Sequence, residues 1–118
     1  MGTKAPARST PTAKPASVRA ELERRLVGLP GLDRRPSRWG ERPAYFVGER
    51  EIAHFHGDLR MDVRLTKELI RERTKEHAFD ERVRTRGPSA EWASVTVASV
   101  RDIPLALALV EDAIRANG

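Results

Sequence analysis

Cysteine is absent from the 118 residues, which excludes a disulfide framework and every zinc site built on thiolates. Folding therefore needs no oxidising compartment. No uninterrupted apolar run approaches the roughly 20 residues that a helix needs to cross a membrane. The opening MGTKAPARSTPTAKPAS lacks the apolar stretch of an export signal, and Pro6 stands where a myristoylation pattern requires Ser or Thr. Also missing are a glycine-rich phosphate loop, a serine elbow flanked by glycines and a His-Glu-x-x-His helix, so hydrolases and nucleotide enzymes of recognisable signature have no support. The expectation is a cytoplasmic protein with no membrane partner.

The length suits one domain. A domain of about 100 residues buries roughly 60–70% of the surface its unfolded chain exposes, enough for one sheet with helices against it. The formal net charge of +5 is unevenly placed. Residues 1–17 hold Lys4, Arg8 and Lys14 and no acid, so they carry +3 and the remainder +2. This stretch is rich in Pro, Ala, Ser and Thr and has no large apolar residue after Met1, so burial cannot offset its ordering entropy. It is expected to be a disordered basic tail over residues 1–16, leaving a single domain over 17–118. Basic tails hold nucleic acid loosely; a solvated tail is the simpler expectation, and nucleic acid is not an expected partner.

Ser17 has the chemistry of a helix N-cap, and Val18, Leu22, Leu26 and Leu29 follow at helical spacing until Pro30-Gly31 stops the run. After a basic, turn-rich segment with a short strand ending near Trp39 come three strand-like stretches. PAYFVG ends at Gly48-Glu49 and EIAHFH at Gly57-Asp58, both turn signals. In LRMDVRLT, Leu59, Met61, Val63 and Leu65 fall on one face and Arg60, Asp62 and Arg64 on the other. Thr66 can cap a charged helix, KELIRERTKEH, in which Leu69, Ile70 and the stem of Arg73 offer a narrow docking stripe. A hairpin from ERVRTR and EWASVTVAS follows, and Ser99 or Asp102 caps the apolar helix IPLALALVEDAIRA, with Pro104 tolerated in its first turn. The predicted fold class is α+β: an antiparallel β-sheet meander packed by N-terminal, middle and C-terminal helices.

His54 and His56, two apart on a strand, point to the same face about 7 Å apart. Imidazoles so spaced can share a metal, or simply be bonded to backbone and carboxylates on a half-buried strand. Further ligands are few (Asp58, Asp62 and the distant His77), so no metal is assigned. His77 suits the negative end of its helix. Trp39 and Trp92 can anchor the sheet or stack on an aromatic ligand, and Arg38 can pair with an anionic group of that ligand.

ELERRLVGLPGLDRRPSRWG, PAYFVGEREIAHFHGDLRMDVRLT and EWASVTV with LALALVEDAIRAN together resemble the luciferase-domain family, which includes fungal luciferases and many small bacterial proteins. The resemblance covers residues 18–117. Its most specific block is GEREIAHFHGDLRMDVRLT, where Glu51, His54, His56 and Asp58 match the family's acidic-x-x-His-x-His signature and the polar residue after it. The RPSRWG turn, with Ser37, Arg38 and Gly40, matches as well. Fungal luciferases oxidise a hydroxylated pyrone with molecular oxygen and emit light, without a dedicated organic cofactor. The resemblance thus implies a small-molecule-binding or oxygenase-like domain with no cofactor. His54 and His56 are its candidate catalytic residues; Arg38, Trp39, Asp58, Asp62 and Trp92 are candidate substrate contacts. Imidazole suits deprotonation of an acidic enol, its reference pKa of about 6.5 lying near working pH. The alternative is a non-catalytic module whose basic tail and arginines in 34–42 engage an acidic protein or nucleic acid. Placement favours the first reading, because the histidines lie inside the sheet and the excess charge outside it. Catalysis itself, the substrate and the oligomeric state stay open.

Overall fold

The computed structural model describes residues 15–38, 40, 42–87 and 89–118. Most of the expected tail, and Trp39, lie outside the described residues. The first helix, α1 (Pro15–Leu26), begins two residues before the expected cap at Ser17. Proline's fixed φ and missing N–H suit a first helical position, which explains the earlier start. Its stripe is as expected: Val18, Leu22 and Leu26 are fully buried, and Leu29 packs against the core from the following turn.

Six strands form one antiparallel sheet in the order β1-β2-β3-β4-β6-β5: β1 (Asp33–Pro36), β2 (Pro43–Val47), β3 (Arg50–His56), β4 (Arg60–Arg64), β5 (Val83–Thr85) and β6 (Trp92–Thr96). The meander predicted from the three middle strands is present. β6 then pairs with β4 and pushes β5 to the edge. The short β1 ends at Pro36, three residues before the expected limit near Trp39. The tight turns carry Gly48 and Gly57 at positive φ, 60° and 71°, a conformation that costs glycine little.

Between β4 and β5 lies α2 (Lys67–Lys75), where the Thr66 hydroxyl accepts from the Leu69 N–H. Ile70 is its one buried residue, and Arg73 binds Asp112 on the last helix at 2.7 Å. His77 follows the end of α2 at φ 52°, exposed. A 3₁₀ turn (Val100–Asp102) leads into α3 (Ile103–Asn117), which has Pro104 in its first turn. Asp102 caps this junction by accepting from the backbone N–H of Ala98 and Ser99 at 2.9 and 3.1 Å.

The helices cover one face of the sheet. Met61, Val63 and Leu65 are fully buried among Tyr45, Ile52, Ile103, Ala106 and Val110. Leu59 departs from the expected alternation: it is 46% exposed, because the strand starts only at Arg60 and Leu59 belongs to the preceding turn. At the far end of α3, Asn117 donates to the Arg64 and Ala113 carbonyls at 2.9 and 2.8 Å, tying the helix to β4. The opposite face, carrying His54, Asp62 and Ser94, is left to form a cavity.

Candidate functional site

Three strands supply one polar row. His54 on β3 faces Asp62 on β4, which faces Ser94 on β6. Directly opposed residues of antiparallel strands share a face, with their side chains close enough to touch. The Ser94 hydroxyl donates to Asp62 Oδ1 at 2.7 Å. Asp62 Oδ2 lies 3.2 Å from His54 Nε2 and 3.1 Å from His56 Nε2. One carboxylate thus joins both histidines, whose ring centroids are 5.6 Å apart.

A second carboxylate reaches His54 from its own strand. Strict alternation would place Glu51 and His54, three residues apart, on opposite faces. Instead the β2–β3 pairing slips: Tyr45 faces Ala53, but its neighbour Phe46 faces Glu51, which leaves Ile52 as an extra residue. Ile52 and Ala53 both enter the core, and this bulge returns Glu51 to the face of His54. There Glu51 Oε2 lies 3.0 Å from His54 Nδ1. Glu51 is only 1% exposed, and burying a carboxylate requires several donors. Beyond His54, the Ser37 hydroxyl bonds its two oxygens at 2.9 and 3.0 Å, and the Arg38 backbone N–H donates to Oε1 at 3.0 Å.

Both ring nitrogens of His54 therefore face carboxylates, an environment that suits the doubly protonated ring. The hydrogen bond to Asp62 raises the His54 pKa, and it outweighs the opposing effect of burial, with further help from the charges of Asp62 and Glu51. For Asp62, burial acts to raise the pKa, but hydrogen bonds with His54 and Ser94 and the nearby imidazoles win, holding it below the ordinary carboxylate value. The ring of Trp92 lies against His54 at 4.9 Å between centroids, and the Arg64 guanidinium covers Trp92 at 5.0 Å.

Above this row opens a cavity of about 870 Å³, within the roughly 300–1,000 Å³ range of small-molecule sites. Trp92, Ser94, Ser89 and Ala90 line it, with Arg84 and Arg86 contributing positive charge; Arg60, also at its edge, lies 3.7 Å from Asp62 Oδ1. Arg82 also borders it, but its guanidinium is held by Asp80 at 2.8 Å and Asp102 at 2.7 Å.

Of the residues expected from sequence, His54, His56, Asp62 and Trp92 meet here. Asp58 does not: it is exposed in the β3–β4 turn, 3.6 Å from Arg19. Arg38 supports Glu51 through its backbone, while its guanidinium turns to Glu49 at 3.1 Å. Sequence reasoning did not place Ser94, Arg60, Arg84 or Arg86 in the site, nor Glu51 beside His54. The alternation of Trp92, Ser94 and Thr96 against Ala93 and Val95 was a usable signal for Ser94; its pairing with Asp62 depends on β6 lying next to β4.

An antiparallel sheet with helices on one side and a polar cavity on the other defines an open-faced α+β domain. A family model described as Luciferase domain matches residues 49–113, from the turn before β3 well into α3. The chain belongs to the luciferase-domain family. No curated protein and no solved structure matches it.

Proposed function

We propose that this cavity binds a small, planar, anionic or readily ionised molecule of the enol type, and that His54, His56 and Asp62 handle its acidic proton. The observation that supports this reading is the coincidence, in one cavity, of the His54–Asp62–His56 cluster with an aromatic wall and the arginines Arg84 and Arg86. Trp92, in contact with His54 and Arg64, supplies an aromatic wall. Arg84 and Arg86 offer charge to an enolate, while Arg60 lies 3.7 Å from Asp62 Oδ1. His54, bracketed by two carboxylates, favours its cationic form and is suited to stabilising negative charge on the ligand oxygen. His56, with its side chain 50% exposed and Nε2 on Asp62, is the residue to take the enol proton. Reaction of the enolate with dioxygen is the further step that luciferase-domain membership suggests.

The alternative of an acidic macromolecular partner draws less support. Of the four arginines in 34–42, three already meet groups of this chain: Arg34 near Glu23 at 3.8 Å, Arg35 near Glu49 at 3.8 Å and on the Gly48 carbonyl, and Arg38 on Glu49.

Titrating the chelator-treated chain with a hydroxypyrone and with its methyl ether, by calorimetry, tests the reading. Saturable binding of the free enol is expected, weakened roughly two- to fivefold by each of Arg84→Ser and Arg86→Ser, the range for an exposed charge. Equal affinity for enol and ether, or no binding of either, refutes it.

A further inference from the structure

The floor of the cavity has the arrangement of a ligand set as well as of an acid–base group. We propose that His54, His56 and Asp62 form a binding site for one divalent transition-metal ion, in the class that favours imidazole nitrogen. The ligand atoms of the three residues lie within 4.8 Å of one another. Two donors bound at about 2.0–2.1 Å in a tetrahedral site stand roughly 3.3 Å apart. The two Nε2 atoms lie 3.2 and 3.1 Å from Asp62 Oδ2, so ligation requires only small side-chain adjustments.

The surroundings of these atoms point the same way. A metal-bound histidine usually donates its other N–H to a carboxylate, which fixes the ring and its tautomer. His54 Nδ1 faces Glu51 Oε2 at 3.0 Å, and Glu51 is itself buried and held by Ser37 and the Arg38 N–H. This leaves His54 Nε2 directed at Asp62. The carboxylate of Asp62 is oriented in turn, since Ser94 donates to Oδ1 and leaves Oδ2 toward both imidazoles. All three residues stand on adjacent paired strands, a rigid mounting of the kind a ligand set needs.

Two nitrogens and one carboxylate oxygen suit zinc, iron, cobalt or nickel better than calcium or magnesium, which favour oxygen alone. Three protein ligands leave a further position, directed into the cavity. With the ion bound, both imidazoles are neutral ligands that have released their Nε2 protons, so the metal takes over the charge-stabilising and proton-taking roles that His54 and His56 have in the metal-free site. In that respect the inference rests on the ligand-site reading above: the open position would face the organic molecule.

The full chain, stripped with chelator and dialysed, is titrated with Co²⁺ by visible absorption and with Zn²⁺ by calorimetry. One equivalent of Co²⁺ per chain is expected, with the intense d–d absorption of a four- or five-coordinate ion, displaced by Zn²⁺ and accompanied by a rise in melting temperature. His56→Gln and Asp62→Asn are expected to weaken binding by more than about 100-fold while retaining the circular dichroism of the fold, since removal even of a supporting residue costs about 10–100-fold. His77→Ala, at the remote third histidine, is expected to change nothing. No Co²⁺ binding at micromolar concentration, binding that survives in both ligand variants, or binding lost in His77→Ala overturns the proposal. Hydroxypyrone titration of the same metal-free preparation keeps the two ideas apart. Pyrone binding without metal binding overturns the metal site alone; metal binding without pyrone binding supports it and refutes only the ligand reading.

Discussion

Glu51 and His54 meet on one face of the sheet, Oε2 to Nδ1 at 3.0 Å, although alternation along a regular strand would set them on opposite faces. The bulge at Ile52 makes the contact, and Ser37 and the Arg38 N–H complete it from the other side. Glu51→Ala would remove the acceptor shared by the Ser37 hydroxyl, the Arg38 N–H and His54 Nδ1. A loss of about 1–3 kcal/mol is expected, read as a lower urea midpoint at unchanged slope. A loss under about 0.5 kcal/mol would mean that water replaces the carboxylate.

The register of β4 gives a paired test. Val63 is fully buried, whereas Leu59 is 46% exposed in the turn before the strand. Val63→Asp puts an unpaired carboxylate in the core, a cost of several kcal/mol, and is expected to abolish soluble folded protein. Leu59→Asp is expected to leave the melting temperature within a few degrees, about 1 kcal/mol at this size. Similar behaviour of the two variants in a thermal melt would contradict the register.

Asp102 joins Arg82 to the start of α3. Burial acts to raise its pKa, but hydrogen bonds from Arg82 and from the Ala98 and Ser99 N–H groups prevail and lower it. The folded protein therefore keeps Asp102 ionised to lower pH than the unfolded chain does. Its contribution to stability is present above the ordinary carboxylate pKa and is lost as pH falls through the lowered, folded-state value. The stability gap between wild type and Asp102→Asn should be full near neutrality and shrink below about pH 4. Urea unfolding of both proteins across that range checks it; a gap constant down to the lowest pH would remove the carboxylate's charge from the account.

We propose that residues 1–14, the part of the tail expected over 1–16 that precedes α1, lie outside the folding unit, having nothing large and apolar after Met1 to bury. Their deletion is expected to move the melting temperature by no more than a few degrees, about 1 kcal/mol. A larger fall would show that the segment docks on the domain.

The sequence alone determined the elements and most of the core. Helical spacing at Val18, Leu22 and Leu26, alternation through Met61, Val63 and Leu65, and turn glycines at 48 and 57 are local physics, written in neighbouring residues and realised as read. It also placed His54 and His56 on one face, because a two-residue spacing needs no tertiary information. Only the tertiary structure decided what surrounds them. Insertion of β6 beside β4 brings Ser94 to Asp62, a long-range pairing invisible to local pattern. Register across β3 and β4 makes Asp62, not the nearer Asp58, the partner of both histidines. The bulge overturns the parity of Glu51, because core packing accepts Ile52 and Ala53 side by side and the strand must then turn its next residue outward. The covering of one sheet face by helices left the other to become the cavity, a choice made by summed burial over the whole chain rather than by any motif within it.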